Sequence, residues 1–256
     1  PILCATLLTR EPVHLAAIPE ITDVRKIGEV FRHLGSDVDV DYAAGTLDVH
    51  HRATRFDPER HHLPEEMRSS IMLVPGLLAR FGAARIEDDV QGCTLGVREI
   101  AAHVEAMQHF GASVERRREA LVMRAAAGLH ASHHWLDYAS VTTTENFVLC
   151  AALAAGTSTL MNAASEPHVQ EFCAFMTMLG ARIDGIGTSR LTVHGVPALG
   201  CARFAFGKDF HEAVTFMALG VITGGSIAVK NSAPEQFPLI DRTFAKFGVQ
   251  VVHEDG

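Results

Sequence analysis

The chain has 256 residues, of which 48% are hydrophobic and 20% charged, and its net charge is -8. This length fits one large or two ordinary domains, and the apolar fraction is sufficient for a substantial core. The negative charge and the lack of a long basic run argue against a nucleic-acid-binding surface.

The sequence shows no secretion signal and no membrane span, and its cysteines are unpaired. These features predict a cytoplasmic location without membrane contact. The sequence contains no window of 18 uncharged apolar residues, so no membrane span is predicted. The first five residues have no basic region of the kind that begins a secretion signal. Five scattered cysteines, at positions 4, 93, 150, 173 and 201, form no CxxC pair, which is typical of proteins in a reducing compartment.

One pattern recurs along the chain, near residues 7–38, 96–114, 153–183 and 222–251. Each copy predicts a helix, a strand, a short loop, an amphipathic helix that ends at Leu-Gly or Phe-Gly, and two further strands. Three copies, at about 1–45, 94–127 and 145–196, are expected to pack their helices inward and their sheets outward. Residues 200–208 are expected to form a crossover, and the last copy alone cannot bury its apolar face.

The third copy shows the pattern most clearly. Apolar residues at three- and four-residue spacing predict a helix over 167–179, with Pro167 in its first turn. Gly180 is expected to adopt the left-handed backbone that ends the helix. Alternating segments at 181–184 and 190–194 predict two strands joined by a turn.

A cysteine lies between two glycines in the segment Gly92-Cys93-Thr94-Leu95-Gly96-Val97-Arg98. Arg98 begins a helical pattern, where free backbone N–H groups favour an anion. A thiol beside a cation and a helix N-terminus is expected to have a lowered pKa and to be reactive. The alternative is a surface hinge that carries an inert cysteine.

Fifteen histidines include the pairs His61-His62 and His133-His134, both in polar, loop-like segments. Their spacing does not match that of metal ligands on one face of a helix or strand. The sequence therefore predicts no metal site.

Several separate segments resemble the enolpyruvyl transferases, and among them the UDP-N-acetylglucosamine 1-carboxyvinyltransferase family. The segments that carry the resemblance are Met67-Arg68-Ser69-Ser70-Ile71, Leu78-Ala79-Arg80-Phe81-Gly82, the cysteine segment 92–98, Thr144-Glu145-Asn146 and Asn162-Ala163-Ala164-Ser165-Glu166-Pro167. The resemblance implies an inside-out α/β barrel of βαβαββ units, with helices inside and sheets outside. It also implies a nucleotide-sugar-binding domain at 1–207 and the start of an incomplete catalytic domain at 208–256.

The resemblance implies transfer of the enolpyruvyl group of phosphoenolpyruvate to the 3-hydroxyl of UDP-N-acetylglucosamine, with release of phosphate. This is the first committed step of peptidoglycan synthesis, which serves cell-wall biogenesis, cell shape and cell division. Phosphoenolpyruvate is a co-substrate, and no cofactor is implied. The implied catalytic residue is Cys93. The implied substrate-binding residues are Arg68, Arg98, Glu99, Ile100, Ala101, Ala102, Tyr138, Ala139, Ser140 and Val141.

The chain departs from the family pattern at two implied site positions. Tyr138 stands where the family usually has a lysine, and Ala101 stands where it has an aspartate. The family also places a lysine before Pro1, and an aspartate base and further arginines after Gly256, so the remainder of the catalytic domain is needed for closure. Two alternatives therefore stay open: an enolpyruvyl transferase specialised for another nucleotide, and a truncated nucleotide-sugar-binding homologue without turnover.

Overall fold

A computed structural model describes residues 1–61, 63, 67–87, 100–117, 120–230 and 232–253. The chain divides into two compact units, Pro1–Ala205 and Phe206–Gly256. The expected roles, nucleotide-sugar binding by residues 1–207 and catalysis by a domain that begins at 208, remain predictions.

The secondary structure is mixed. The helices are α1 (Ile2–Ala5), α2 (Thr22–His33), α3 (Val74–Phe81), α4 (Ala101–His109), α5 (Val141–Leu153), α6 (Pro167–Met178), α7 (Phe210–Ile222) and α8 (Pro238–Lys246). The strands are β1 (Val13–Ala16), β2 (Asp37–Asp41), β3 (Thr46–His50), β4 (Ala83–Glu87), β5 (Ser113–Arg117), β6 (Ala120–Arg124), β7 (His133–Trp135), β8 (Thr157–Met161), β9 (Arg182–Asp184), β10 (Arg190–His194) and β11 (Ala202–Ala205). Short 3-10 helices are present at Thr6–Leu8, Arg68–Met72 and Pro234–Gln236.

The first unit contains three repeats that share one order of strands. The antiparallel neighbours are β1-β3-β2 in the first repeat, β4-β6-β5 in the second and β8-β10-β9 in the third. In each repeat the third strand is therefore the central one. The second repeat begins with α3 at Val74, so the expected start near residue 94 was wrong.

Two additional strands extend the sheets of the third and first repeats. Strand β7 follows the second repeat and pairs in parallel with β8, the first strand of the third repeat. Strand β11 follows the third repeat and pairs in parallel with β1, with Ala202 opposite Val13. The expectation that 200–208 is only a crossover was wrong, because this segment finds a partner at the other end of the first unit.

The core of the first unit is formed by helices, with the sheets around them. Helix α5 is buried at every position from Thr143 to Ala152, including its polar residues Glu145 and Asn146, so it is the central helix of this core. Burial alternates along β8 and β10, so each strand turns one face inward. The predicted arrangement of helices inside and sheets outside is confirmed.

Helix α6 matches its sequence pattern. The apolar stripe that includes Phe172, Cys173 and Met176 is buried. Gly180 has φ +105°, and its N–H donates to the Thr177 carbonyl at 2.9 Å, which ends the helix as predicted. The hairpin of β9 and β10 follows.

The second unit contains α7 and α8, and no strand is present in its described residues, 206–230 and 232–253. The fourth sequence copy, near 222–251, predicted strands as in the other copies, and this prediction was wrong for the described residues. A strand needs a neighbouring strand to satisfy its backbone groups, and the described residues of this unit supply none. None of the helices described in either unit has the length and apolar character needed to cross a bilayer.

Candidate functional site

The loop after β7 is held at its base by backbone and side-chain hydrogen bonds. The Leu136 N–H donates to the Met161 carbonyl at 3.1 Å, and Asn162 Nδ2 donates to the Leu136 carbonyl at 2.9 Å. Leu136 is buried, whereas Tyr138 two residues later is 60% exposed. The loop therefore presents Tyr138 from a fixed point on the third sheet. Asn162, which has φ +59°, is a positioning residue that the site prediction missed.

Ser140 caps α5. Its Oγ accepts a hydrogen bond from the Thr143 N–H at 3.3 Å, and its carbonyl accepts one from Thr144 Oγ1 at 2.7 Å. A side-chain oxygen that satisfies a free N–H of the first turn is a typical helix cap. Ser140, predicted to bind substrate, thus also fixes where α5 begins.

A buried histidine links the start of α4 to the start of α5. His103 Nδ1 lies 2.9 Å from Asn146 Nδ2, and His103 Nε2 lies 3.2 Å from Thr142 Oγ1. Because the Asn146 amide nitrogen can only donate, Nδ1 must accept and Nε2 carries the proton. The two helix N-termini are therefore held side by side, so His103 contributes to the packing of α4 against α5.

Asn146 also connects this pair of helices to the short helix that carries Arg68. Its Nδ2 lies 3.2 Å from the Ile71 carbonyl, which accepts the second hydrogen bond of the amide. In the same short helix, Ser69 Oγ donates to Asp23 Oδ2 at 2.6 Å.

A cavity of about 140 Å³ lies between the start of α4 and the loop after β7. Three predicted substrate-binding residues line it: Ala101, Ala102 and Tyr138. The remaining lining residues are Glu105, His134, Leu136 and Asp137, which the prediction missed. Residues from two distant parts of the chain thus meet at the first turn of α4, whose N–H groups have no partner within the helix.

Of the other predicted site residues, the structure describes three in full and the rest only in part or not at all. Ile100 is half-buried and precedes α4, Ala139 is exposed, and Val141 is the half-buried first residue of α5. The predicted catalytic residue Cys93 and the predicted binding residues Arg98 and Glu99 lie outside the described residues, as does the side chain of Arg68.

A larger cavity of about 380 Å³ lies on the first sheet and contains none of the predicted site residues. Three aspartates line it, Asp37, Asp39 and Asp48.

The described cysteines differ in burial. Burial raises the pKa of the Cys4 thiol to about 11 and that of Cys173 to about 12, and burial also raises the pKa of Cys150. These three thiols stay protonated at neutral pH and are inert packing groups. Cys201 is exposed.

A family model described as EPSP synthase (3-phosphoshikimate 1-carboxyvinyltransferase) matches residues 1–256. The chain belongs to the EPSP synthase family. The members of this family are enolpyruvyl transferases, and their fold is the inside-out α/β arrangement that the three repeats display.

One relative within the family is the UDP-N-acetylglucosamine 1-carboxyvinyltransferase of Helicobacter acinonychis (strain Sheeba). It is 32% identical over 250 residues, which are 97% of this chain and 59% of the relative. The chain thus spans less than two thirds of the length of this relative.

Solved structures of enolpyruvyl transferases share the fold of this EPSP synthase family member. The enolpyruvyl transferase NikO from Streptomyces tendae matches with a TM-score of 0.72 and 24% identity, over 86% of this chain and 51% of that one. An EPSP synthase from Acinetobacter baumannii matches with a TM-score of 0.66 and 16% identity, over 84% of this chain and 49% of that one.

Proposed function

We propose that the chain acts in the transfer of the enolpyruvyl group of phosphoenolpyruvate to the 3-hydroxyl of UDP-N-acetylglucosamine, with release of phosphate. The observation that carries this proposal is the 32% identity to a UDP-N-acetylglucosamine 1-carboxyvinyltransferase over 97% of the chain. The proposed setting is peptidoglycan synthesis in the cytoplasm. The reaction changes no redox state, so the proposal includes no cofactor beyond phosphoenolpyruvate as co-substrate.

The cavity between α4 and the loop after β7 is the proposed binding site of the nucleotide. The small side chains of Ala101 and Ala102 leave space over the first turn of α4, where N–H groups can donate to a ligand. The ring of Tyr138 offers an apolar face and a hydroxyl at the opposite wall. Contacts of this kind rely on the backbone and on shape, so they do not require a lysine at position 138 or an aspartate at position 101.

In the proposed chemistry the sugar 3-hydroxyl gives up its proton to a base as its oxygen bonds to C2 of phosphoenolpyruvate, and a proton from an acid adds to C3. The resulting tetrahedral intermediate then loses a proton from C3, and the bond between C2 and the phosphate oxygen breaks. Cys93 is the proposed acid for the proton transfer to C3 and Arg98 the proposed cation for the phosphate. Among the described cysteines, Cys4, Cys150 and Cys173 are unsuitable because burial raises the pKa of each thiol.

Turnover is proposed to need more positive charge than Arg98 supplies. Phosphoenolpyruvate carries close to three negative charges, and a closed site of low dielectric must compensate them. The chain spans 59% of the length of its curated relative. We therefore expect the 256 residues alone to bind nucleotide weakly and to release no measurable phosphate.

Calorimetric titration of the full 256-residue chain with UDP-N-acetylglucosamine tests the binding site. The variant Ala101→Phe fills the cavity and is expected to weaken binding by about tenfold or more, because overpacking costs at least 1–3 kcal/mol. The matched control is Gln108→Phe, which adds the same ring at an exposed position of the same helix outside the cavity. Equal binding by the Ala101→Phe variant and the unchanged chain would place the nucleotide elsewhere.

Alkylation by fosfomycin, which resembles phosphoenolpyruvate, tests the role of Cys93. Mass spectrometry of peptides is expected to show the adduct on Cys93 and only in the presence of UDP-N-acetylglucosamine, if the nucleotide helps to assemble the site. Cys201, which is exposed, serves as the internal control for nonspecific reaction. Equal labelling of both thiols would contradict a specialised site.

A second candidate is an enolpyruvyl transferase that acts on another nucleotide, which Tyr138 favours because it removes a cation expected to face a diphosphate. Tighter binding of UMP than of UDP-N-acetylglucosamine would support this candidate. A third candidate is a nucleotide-sugar-binding protein without turnover. Phosphate release from phosphoenolpyruvate and UDP-N-acetylglucosamine by the expressed chain would exclude it.

A further inference from the structure

Three side chains with metal-binding groups meet beside α4, and two of them, Glu105 and His134, also line the cavity described above. Glu105 and His109 are four residues apart on α4 and therefore lie on the same face of the helix. His134 extends from β7 toward them, and its ring centroid lies 4.5 Å from that of His109. One ligand atom from each of the three residues lies within 4.8 Å of the other two.

We propose that Glu105, His109 and His134 bind a divalent transition-metal ion of the zinc type, with water completing the coordination. Two imidazoles and one carboxylate are a common three-residue ligand set for zinc. Ligand atoms around a tetrahedral zinc ion lie about 3.4 Å apart, given metal–ligand distances of about 2.1 Å. Glu105 Oε1 and His109 Nε2 are 3.9 Å apart, so small side-chain rotations bring them to this distance.

The surroundings of the three side chains suit a cation. Glu105 supplies a negative charge, and Asp137 lines the same cavity. Glu105 and His109 are exposed and His134 is half-buried, so an ion can reach the site from solvent.

This cluster could not be identified from the spacing of residues in the sequence, because its ligands come from two separate elements, α4 and β7. His109 and His134 are separated by β5, β6 and the turn that follows, and only the packing of α4 against β7 brings them together. His133 is adjacent in sequence to His134 but is exposed and does not belong to the cluster. It provides a natural control for a nonspecific histidine effect.

The proposal does not depend on the enzymatic function, since metal binding can be measured without nucleotide or phosphoenolpyruvate. The experiment is titration of the full chain, freed of metal by a chelator, with Co²⁺ followed by visible absorption and with Zn²⁺ followed by calorimetry. One equivalent is expected to bind, with the visible bands of tetrahedral Co²⁺ and without the near-ultraviolet band of a cobalt–thiolate bond. A thiolate band would assign the binding to a cysteine and overturn the proposal.

Variants decide which residues hold the ion. His134→Ala and His109→Ala are each expected to lower the affinity by about tenfold or more, since even the loss of an outer-shell partner costs about 10–100-fold. His133→Ala is expected to bind as the unchanged chain does. Because His109 is exposed, His109→Ala is expected to fold normally, which far-ultraviolet circular dichroism would check.

Thermal unfolding gives an independent readout. Saturating Zn²⁺ is expected to raise the unfolding temperature of the unchanged chain and of His133→Ala, because an ion that binds only the folded state stabilises it. The shift is expected to be absent in His109→Ala and His134→Ala. Equal shifts in all four proteins, or equal affinities, would overturn the proposal.

Discussion

Helices α5 and α7 are each 13 residues long, and apolar residues dominate both, yet they differ in burial. In α5 every residue from Thr143 to Ala152 is buried. In α7 the buried positions are Ala213 and Gly220, whereas Phe216 is 49% exposed and Ile222 is 82% exposed. An apolar helix of this kind is typical of a protein interior. Helix α7 therefore has the sequence of a central helix without the cover that α5 has.

The difference follows from the number of repeats in each unit. The first unit has three repeats whose helices bury one another, and α5 packs against α3, α4 and α6. The second unit has the helices of one repeat, and a single repeat cannot bury its own apolar face. We therefore expect the first unit to carry most of the free energy of unfolding and the second to open at lower cost.

The largest expected effect comes from a matched pair of phenylalanines. Phe147 and Phe216 are each the seventh residue of their helix, but Phe147 is fully buried and its ring lies 4.8 Å from that of Phe110. Phe147→Ala is expected to lower the free energy of unfolding by about 3–5 kcal/mol, because it leaves a cavity in the core. Phe216→Ala is expected to lower it by less than about 1 kcal/mol.

Denaturant unfolding followed by circular dichroism measures both changes. The two variants remove the same atoms from helices of the same length, so the difference in cost reports burial alone. Equal costs for the two variants would show that α7 is covered to the same degree as α5, and the comparison would fail.

The second prediction concerns acid unfolding of the first unit. His51 is buried, with Nε2 2.9 Å from Thr6 Oγ1 and Nδ1 2.7 Å from Ser36 Oγ. Burial, followed by the nearby Arg80 charge, lowers the pKa of His51 from 6.5 to about 3. Unfolding lets the imidazole take up a proton, so its contribution to stability is present above pH 6.5 and is lost as the pH falls toward 3.

Each pH unit in this window is expected to cost about 1.4 kcal/mol, or about 3 kcal/mol between pH 6.5 and pH 4.5. His51→Gln keeps one donor and one acceptor but cannot take up the proton, so its stability is expected to fall by that much less over the same range. His14→Gln, at a partly exposed position beside Asp48, is the control. An unchanged pH dependence in His51→Gln would contradict the assignment.

The third prediction concerns a group whose contribution to stability is lost as the pH rises, not as it falls. Burial raises the pKa of the Glu145 carboxyl in α5 from 4.5 to about 7. The folded state therefore holds the proton more tightly, and the stability gained in this way is present below pH 4.5 and lost as the pH rises through about 7. Glu145→Gln keeps the shape without the ionisation.

We expect Glu145→Gln to be more stable than the unchanged chain by about 3 kcal/mol at pH 8 and to show little gain at pH 4.5. Free energies of unfolding from denaturant titrations at the two pH values would check this. Glu166→Gln, at an exposed position before α6, is the control and is expected to show a smaller gain. A loss of stability in Glu145→Gln at pH 8 would show that the carboxylate makes bonds that an amide cannot replace.

Local patterns predicted much of the first unit. The stripe of α6, the left-handed Gly180 and the β9–β10 hairpin depend on residues close in sequence, so periodicity and turn chemistry identify them. The pairing of β11 with β1 could not be read in this way, because its partner lies at the other end of the unit. The strands predicted in the second unit did not form, because propensity without a neighbouring strand is insufficient.

In the candidate site, too, features that depend on local sequence could be predicted, and contacts between distant elements could not. The segments around Ala101 and Tyr138 were identified by resemblance, and the structure places both beside one cavity. The contributions of Asn162, Asn146 and His134 could not be predicted, because each acts on an element distant in the chain. Hydrogen bonds between elements are fixed only when the helices and sheets have packed.

The smallest expected effect on stability tests the exposed end of α7 directly. Ile222→Lys replaces an 82% exposed side chain in the last turn, where a positive charge is favourable to the helix dipole. The free energy of unfolding is expected to change by less than about 0.5 kcal/mol. Self-association at high protein concentration, measured by light scattering, is expected to fall, because exposed apolar surfaces of this kind promote contacts between copies. Ile186→Lys, in the turn of the β9–β10 hairpin, adds the same charge to the first unit and is expected to leave self-association unchanged. A cost above about 1 kcal/mol for Ile222→Lys would mean that the side chain is covered, because an exposed isoleucine contributes little to the free energy of unfolding.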